Sequence, residues 1–246
     1  MKEIRTYGLV LHLRSLGEAD KLVTLLTREK GKITAVARGS RKTKSKFSAL
    51  LEPLTLGKFL LFRGKTLYTF IQGELIKTYT KLHHDLERLG YAQYFCELCE
   101  RCLPEGEPAE QFFLFLLTAL EALEQDSRPA RVARCFEIGF LDLLGLRPAL
   151  DACLHCGSQT GPFHFDPAQG GLLCSECPHP AESFPVGAAA LAIMRRFLEL
   201  GFYKLSVCQL PAEANKEIHQ VSTKLLAHAL GIVNLKSLAF LQQVSF

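Results

Sequence analysis

The 246-residue sequence lacks a stretch of apolar residues that is long enough to cross a membrane. Its longest largely apolar run, Phe112–Leu120, is far shorter than the ~20 residues that a membrane-spanning helix needs. The first five residues also lack the apolar core and the small-residue cleavage site of a signal peptide. Tryptophan is absent too, but its absence excludes no class of protein. These features predict a cytoplasmic protein.

The short motifs of several common enzyme sites are missing as well. The sequence contains no G-x-S-x-G, no H-E-x-x-H and no G-x-G-x-x-G. Gly64-Lys65-Thr66 resembles the end of a phosphate-binding loop, but Phe59 stands where that loop requires its first glycine. His83-His84-Asp85 is more typical of a polar helix start than of a catalytic pair. We therefore predict that the protein is not an enzyme and has no catalytic residue.

The charges of the chain are distributed unevenly. Apolar residues at 48% and charged residues at 22% are ordinary for a folded protein, and the length allows two small cores. The net charge is +4, but residues 1–80 contain 16 basic and 6 acidic side chains, whereas residues 81–246 contain 13 and 19. This asymmetry predicts that the N-terminal part binds a polyanion and that the acidic remainder makes protein contacts.

Residues 1–80 have the pattern of β-strands. Runs of β-branched and apolar residues between turn-forming residues predict five strands, over Thr6–Leu13, Leu22–Thr27, Ile33–Arg38, Leu56–Phe62 and Leu67–Ile76. Five short strands with one long basic connection predict a small closed β-barrel. An OB-fold is the first choice and an SH3-like barrel the second, with a β-sandwich or an open sheet as the remaining alternative.

After Thr80 the apolar period changes to that of helices. The recurring positions Leu82, Leu86, Leu89, Ala92 and Phe95 predict the first helix. Further helices are predicted over Ala109–Leu123, Ala130–Leu144, Gly187–Leu200, Ala212–Leu230 and Lys236–Gln242. The fold class is therefore α+β with several domains: an OB-fold β-barrel over 1–80 and an all-α domain, over 81–150 and 181–246, that carries an insertion over 151–180.

The insertion contains the strongest motif of the sequence. Cys153-x2-Cys156 and Cys174-x2-Cys177 are separated by 17 residues, which is the spacing of a zinc ribbon. Four cysteine ligands leave no open coordination position, so we predict one structural zinc ion. Free or redox-active thiols are the alternative. The nearby histidines are predicted to be surface residues: His155, His164 and His179.

The other five cysteines are predicted to be buried apolar residues. Cys96, Cys99 and Cys102 have a spacing that iron–sulfur proteins use, but they lie in a helical pattern that spreads them around the helix. Cys135 and Cys208 also lie among apolar residues.

A basic segment over residues 38–46 is the third feature. Its cations are Arg38, Arg41, Lys42, Lys44 and Lys46. Beside a barrel, such a segment is typical of a clamp for the phosphates of a single strand; a flexible solubilising loop is the alternative. Other cations that extend this predicted surface are Arg14, Lys21, Lys58, Arg63 and Lys65. Of the barrel aromatics, Phe59 is predicted to face the core, and one or two of the others to be exposed for base stacking: Tyr7, Phe62, Tyr68 and Phe70.

The order of these parts resembles the bacterial RecO family of DNA-repair recombination mediators. The resemblance lies in Gly17-Glu18-Ala19-Asp20, in the segment from Ala37 to Ser45, in the four-cysteine insertion and in the closing Leu235-Lys236-Ser237-Leu238. It covers essentially the whole chain. It implies a bacterial, nucleoid-associated protein that binds single- and double-stranded DNA and anneals complementary strands without hydrolysing ATP. The implied partners are RecR, the C-terminal tail of single-strand-binding protein and, indirectly, RecA.

The resemblance also implies roles for particular residues. The positions that match DNA contacts are Arg38, Arg41, Lys42, Lys44, Lys46, Arg14 and Lys21. Candidates for binding the acidic tail on the helical domain are Arg128, Arg131 and Arg134. Because some members of the family lack the four cysteines, the zinc is expected to serve stability. Two other functions remain open from the residues alone: an OB-fold RNA-binding factor with a structural zinc, or a nucleic-acid enzyme with such a zinc.

Overall fold

The computed structural model describes residues 3–43, 45, 47 and 50–244. The chain forms two compact units: Met1–Glu124 together with Leu235–Phe246, and Gln125–Asn234. Within the described ranges, no helix combines the length and the hydropathy of a membrane span.

The first unit contains a five-stranded sheet. Its strands are β1 (Glu3–Leu16), β2 (Asp20–Thr27), β3 (Gly31–Ala37), β4 (Thr55–Arg63) and β5 (Tyr68–Thr78). They pair in the order β1-β2-β3-β5-β4, and β4 pairs again with β1, so every strand has two neighbours. All pairs are antiparallel except β3 with β5. This connectivity confirms the OB-like fold and excludes the open sheet.

The first strand is longer than its sequence pattern predicted. Residues 3–9 pair with β4 and residues 8–16 pair with β2, and the register shifts between Val10 and His12. Such a bulge bends a strand, which lets β1 serve two neighbours in succession.

Alternate residues of these strands point into one apolar core. Phe59 lies at its centre, with its ring edge-on to Phe70 at a centroid distance of 5.4 Å. A Cβ added at Gly57 or Gly73 would lie 2.6 or 2.9 Å from the Phe59 ring. These two strand glycines are therefore required by the close approach of the backbone to that ring.

Three helices and the C-terminal helix complete the first unit. They are α1 (Thr80–His83), α2 (Leu86–Cys102), α3 (Glu110–Gln125) and α7 (Lys236–Val244). Asp85 caps α2 by accepting hydrogen bonds from the N–H groups of Glu87 and Arg88. The carboxylate of Glu97 on α2 accepts from the N–H groups of Lys236 and Ser237 at 3.0 and 2.9 Å. These bonds hold the start of α7 on α2. They involve the polar pair Lys236-Ser237 of the closing segment Leu235–Leu238.

The second unit contains helices α4 (Pro129–Leu143), α5 (Ala188–Leu200) and α6 (Ala212–Leu230), with a short 3-10 helix over Leu205–Val207. Its four-stranded sheet consists of β6 (Ala149–Cys153), β7 (Phe163–Asp166), β8 (Gly171–Cys174) and β9 (Phe184–Val186), in the order β6-β8-β7-β9. β7 and β8 form an antiparallel hairpin between the two cysteine pairs.

The connection between α2 and α3 covers the start of β3. The N–H of Gly106 donates to the carbonyl of Lys32 at 2.8 Å, and the N–H of Thr34 donates to the carboxylate of Glu105 at 3.0 Å. The proline- and glycine-rich segment between α2 and α3 therefore covers the first residues of β3, which do not pair with β5.

Gly31 makes this contact possible and provides a test of it. A Cβ at Gly31 would lie 1.8 Å from the carbonyl oxygen of Glu107, and the φ of Gly31 is +60°. We expect Gly31→Ala to lower the free energy of unfolding by about 3 kcal/mol, because backbone strain and a backbone clash add. Urea unfolding followed by circular dichroism measures the loss.

Gly17→Ala is the matched control, since Gly17 has a φ of +62° and no atom within 4 Å of the added Cβ. Gly17→Ala should lower the free energy of unfolding by only about 1 kcal/mol, which is the backbone strain alone. Equal losses at the two positions would show that the contact with Glu107 contributes nothing.

Candidate nucleic-acid interface and metal centre

The turn between β1 and β2 holds the start of the basic segment. The carboxylate of Asp20 accepts from the N–H of Gly39 at 2.7 Å, and the carbonyl of Ala19 accepts from the N–H of Arg41 at 2.9 Å. The guanidinium of Arg41 donates to the carbonyl of Gly17 at 2.6 Å. The two sequence segments that carry the family resemblance are therefore partners in one structure.

The cations of this segment face solvent. Arg38, Arg41 and Lys42 are exposed, whereas the hydroxyl of Ser40 is turned inward and donates to the carbonyl of Ala37 at 2.7 Å. Lys44 and Lys46 lie outside the described residues. The three described cations are thus accessible to an anionic ligand while the backbone that carries them is fixed.

The far end of the connection is anchored in the core of the sheet. Phe47, Leu50 and Leu51 are buried there with Phe59 and Phe70. Sequence reasoning missed this anchor, although the apolar residues at positions 47, 50, 51 and 54 have the spacing of one helical face. The segment is therefore tied down on both sides, and a wholly flexible loop is excluded for its described residues.

Two further predicted DNA contacts have protein partners. The ammonium of Lys21 donates to the carbonyl of Leu51 at 3.3 Å, so Lys21 helps to fix the connection. The guanidinium of Arg14 lies 3.5 Å from the carboxylate of Glu100 on α2, which His12 also contacts at 3.2 Å. Both side chains adjoin the basic segment through the β1–β2 hairpin, but part of their charge is already compensated.

The aromatic residues of the sheet separate as alternation predicted. Phe59 and Phe70 are buried, while Tyr7 and Phe62 each keep 39% of their surface exposed. Two rings are thus available on the outside of the sheet.

The four cysteines of the second unit converge on one point. The sulfur atoms of Cys153, Cys156, Cys174 and Cys177 all lie within 4.8 Å of one another. The Cys156 and Cys174 sulfurs are 3.5 Å apart. A tetrahedral zinc ion with Zn–S bonds of about 2.3 Å separates its sulfur ligands by about 3.8 Å. The donor set and its spacing therefore fit a zinc ion.

Local backbone geometry brings each pair together. The N–H of Gly157 donates to the carbonyl of Cys153 at 2.9 Å, and the N–H of Cys177 donates to the carbonyl of Cys174 at 3.1 Å. Gly157 has a φ of +75°, as the first turn requires. Burial raises the pKa of the Cys153 thiol, but backbone N–H groups of Cys156 and Cys174 outweigh this and lower it to about 6.

The neighbouring histidines stay outside this ligand group. The rings of His164 and His179 stack at a centroid distance of 4.0 Å, and Nε2 of His179 lies 2.9 Å from the carbonyl of Cys174. His155 is exposed and lies 3.5 Å from Gln169. The prediction that the metal ligands are cysteines alone therefore fits the geometry.

The helical cysteines are inert by comparison. On α2, Cys96 and Cys99 are buried and Cys102 is half-buried. Burial raises the pKa of Cys96 to about 12 and that of Cys102 to about 11. Cys135 and Cys208 are buried as well. Four of the five cysteines are therefore buried as the sequence predicted, and Cys102 is buried only in part.

Two arginines predicted to bind an acidic tail are instead buried ion pairs. Arg131 contacts both carboxylate oxygens of Asp126, at 2.7 and 2.9 Å. Arg134 lies 3.0 Å from Glu137, which is also 2.9 Å from His219. Arg131 and Arg134 are each 4% exposed, so their assignment to partner binding is wrong; only Arg128 of the three is exposed. Both arginines stabilise the second unit from within.

An OB-like sheet with a fixed basic segment, followed by helices and four clustered cysteines, defines a class of OB-fold proteins with a cysteine-rich insertion. Family comparison assigns the chain within this class. The model described as "Recombination protein O N terminal" matches residues 1–79, and the one described as "Recombination protein O C terminal" matches residues 83–239. The chain belongs to the RecO family of DNA repair proteins.

Similar proteins in bacteria bear the same name, "DNA repair protein RecO". The protein of Symbiobacterium thermophilum is 39% identical over 217 residues, which is 86% of each chain. That of Pelotomaculum thermopropionicum is 36% identical over 245 residues, or 99% of this chain and 95% of the relative. That of Bacillus subtilis is 34% identical over 238 residues, or 96% and 93%. The family resemblance drawn from the sequence is thereby confirmed.

Proposed function

We propose that this chain is a recombination mediator that binds single- and double-stranded DNA and anneals complementary strands. With RecR it helps RecA to load onto DNA that is coated by single-strand-binding protein, whose C-terminal tail it contacts. The observation that carries the DNA-binding part is the exposure of Arg38, Arg41 and Lys42 on a backbone fixed by Asp20. Lys44, Lys46, Arg14 and Lys21 complete the proposed DNA site.

Annealing follows from the charge of such a surface. Two complementary strands repel each other through their phosphates, and a cationic protein surface reduces that repulsion when both strands are bound. The acidic remainder of the chain disfavours DNA and is better suited to protein partners. The proposed activity is therefore binding rather than catalysis, and it requires neither ATP nor a nucleophile. The proposed location is the bacterial cytoplasm, at the nucleoid.

The metal is proposed to be one zinc ion with a structural role. The four cysteines would occupy all of its coordination positions, so that it would hold β6 and β8 together without binding a substrate.

An annealing assay with DNA and RNA strands of one sequence tests this function against the RNA-binding alternative. Complementary strands carrying a donor and an acceptor dye are mixed without ATP, with and without the protein. We expect the protein to accelerate DNA annealing at least about 10-fold and to act less on RNA. No acceleration would contradict the mediator function, and a preference for RNA would favour the alternative, since such a preference requires contacts to the 2′-hydroxyl.

A further inference from the structure

The outside of the first sheet carries a second set of residues suited to nucleic acid. On the outer side of β1 and β4, Tyr7 lies opposite Lys58, Arg5 opposite Leu60, and Glu3 opposite Phe62. On β5, Gln72 lies opposite Leu60. We refer to this surface as the β1–β4–β5 face, defined by Arg5, Tyr7, Lys58, Leu60, Phe62 and Gln72.

Two aromatic rings are available on this face. Tyr7 and Phe62 each keep 39% of their surface exposed, whereas Phe59 and Leu61, their inward-facing neighbours on β4, are at most 1% exposed. Phe62 lies opposite Glu3, four residues from Tyr7 along β1, so the two rings are about 13 Å apart along the strand direction. The same face carries a groove with a volume of about 180 Å³, lined by Arg5, Leu60 and Gln72 among others.

The charge around the groove favours an anion. Arg5 and Lys58 line it, and Arg63 and Lys65 are exposed at the end of β4, against the carboxylates of Glu3 and Glu74. The ammonium of Lys58 lies 5.7 Å from the centroid of the Tyr7 ring, so this cation and ring already form one surface. Four cations against two carboxylates leave a positive balance beside two exposed rings.

The ligand that combines phosphates with flat, unpaired bases is a single-stranded nucleic acid. Each base has a π-face that stacks on an aromatic side chain whatever its sequence, and the cations contact the backbone. A duplex offers phosphates alone, because its bases are stacked on one another. An uncharged apolar partner would leave the positive balance of this face without compensation.

This face is separate from the basic segment. It involves the first residues of β1, from Glu3 to Tyr7, whereas the segment starting at Arg38 is held by the turn that follows the last residue of β1, Leu16. The two surfaces therefore involve different residues of the sheet, and they approach each other across β5, where Thr69 pairs with both Phe62 and Val36.

We infer that the β1–β4–β5 face is a second binding site for single-stranded nucleic acid, which stacks bases on Tyr7 and Phe62. This inference rests on the proposed function and extends it. One copy of the chain holds one nucleic-acid strand at residues 38–46 and a second nucleic-acid strand on the β1–β4–β5 face. Arg5 and Lys58 contact the phosphates of the second strand, and the amide of Gln72 is placed to contact a base edge. The inference supplies what annealing needs, namely two strands held at once.

The test measures whether one protein holds two strands that cannot pair. Two thymidine oligomers, one with a donor dye and one with an acceptor dye, are mixed with the full-length protein, and energy transfer reports bridging. In Tyr7→Ala/Phe62→Ala we expect the affinity for the second strand to fall at least about 20-fold, since each lost stacking contact costs about 5- to 150-fold. In the same variant, the affinity for a single labelled strand, measured by polarisation, should change less than about 2-fold. An oligomer with 2-aminopurine should also lose its stacking-dependent quenching in this variant.

Control variants separate the rings from other effects. Tyr7→Phe/Phe62→Tyr keeps both rings and should bridge like the wild type. Leu114→Ala removes an exposed apolar residue of α3, 48% exposed, and should have no effect. Bridging that survives in Tyr7→Ala/Phe62→Ala would overturn the second site while leaving one-strand binding in place. A wild-type protein that binds no strand at all would overturn both this site and the proposed function.

Discussion

Replacing the five cations of residues 38–46 by alanine is expected to remove most of the affinity for single-stranded DNA. The changes are Arg38→Ala, Arg41→Ala, Lys42→Ala, Lys44→Ala and Lys46→Ala. If all five contact phosphates, the logarithm of the binding constant of the wild type should fall with the logarithm of salt concentration with a slope of about −3.5. Between 50 and 200 mM salt this slope corresponds to a loss of about 100-fold in affinity.

The five-alanine variant should therefore bind at least about 100-fold more weakly than the wild type at 50 mM salt, with a shallower slope that reflects the cations left in place. Polarisation of a labelled oligomer, titrated at four salt concentrations, measures both quantities. The structure makes the comparison informative, because the bond of Asp20 to the N–H of Gly39 and the buried Phe47 still hold this segment when the contact of Arg41 with Gly17 is lost. Loss of binding is then a loss of contacts rather than of the fold.

A matched control removes the same charge elsewhere. Five exposed cations of the second unit serve this purpose: Arg147, Arg196, Lys204, Lys216 and Lys224. Their replacement by alanine lowers the net charge equally, but it should reduce the affinity by less than about 3-fold, the effect of long-range charge alone. Equal losses in the two variants would show that net charge, not the segment over 38–46, determines binding.

Removing the metal is expected to unfold the cysteine-bearing sheet before the rest of the chain. A structural zinc ion contributes on the order of 10 kcal/mol to the folding of a small module. The four strands of the cysteine-bearing sheet are only three to five residues long, and β8 (Gly171–Cys174) lies between β6 and β7. Such short strands bury little apolar surface of their own. Cys153→Ser, or treatment with a chelator, should therefore expose residues 149–186 to hydrogen exchange.

The increase in hydrogen exchange after metal removal should extend to α5 but not to the first sheet. The guanidinium of Arg195 on α5 donates to the carbonyl of Leu150 on β6 at 3.0 Å, so loss of β6 removes an anchor of that helix. Hydrogen exchange read by mass spectrometry resolves these segments, and metal analysis should show one zinc per chain in the wild type. Binding of single-stranded DNA at the first sheet should persist.

Cys102→Ser is the control for this experiment. Cys102 is half-buried on α2, and burial raises its pKa to about 11, so its thiol is not available as a ligand at neutral pH. Its replacement should leave the zinc content at one per chain. Metal-free protein with unchanged protection over residues 149–186 would show that the four thiols do not hold a structural ion.

Much of the candidate site was predictable because it depends on short-range spacing. A C-x-x-C pair determines its own turn, and two such pairs joined by a hairpin of 17 residues have few ways to arrange four sulfurs except around one point. The exposure of Arg38, Arg41 and Lys42 also followed from composition, since residues 38–46 contain no apolar side chain to bury. The assignment of Phe59 to the core followed from alternation along a strand.

The contacts of individual charges were not predictable in the same way. Arg128, Arg131 and Arg134 look alike in the sequence, yet Arg131 and Arg134 are buried because Asp126 and Glu137 compensate their charges inside the second unit. Whether an arginine is free or paired depends on which carboxylate the fold places beside it. Arg14 and Lys21 likewise have partners that the sequence did not reveal, the carboxylate of Glu100 and the carbonyl of Leu51.

By itself, the sequence determined the two kinds of architecture, the four-cysteine cluster, the basic segment and the family, because each depends on residue type and local period. Only the tertiary structure decided which distant groups meet: the turn at Asp20 with Gly39, the loop at Glu105 with the edge of β3, and Glu97 with Ser237. It also decided which aromatic rings remain outside the sheet. Hydrophobic periodicity assigns a residue to the inside or the outside, but the partner of a polar group is set by the path of the whole chain.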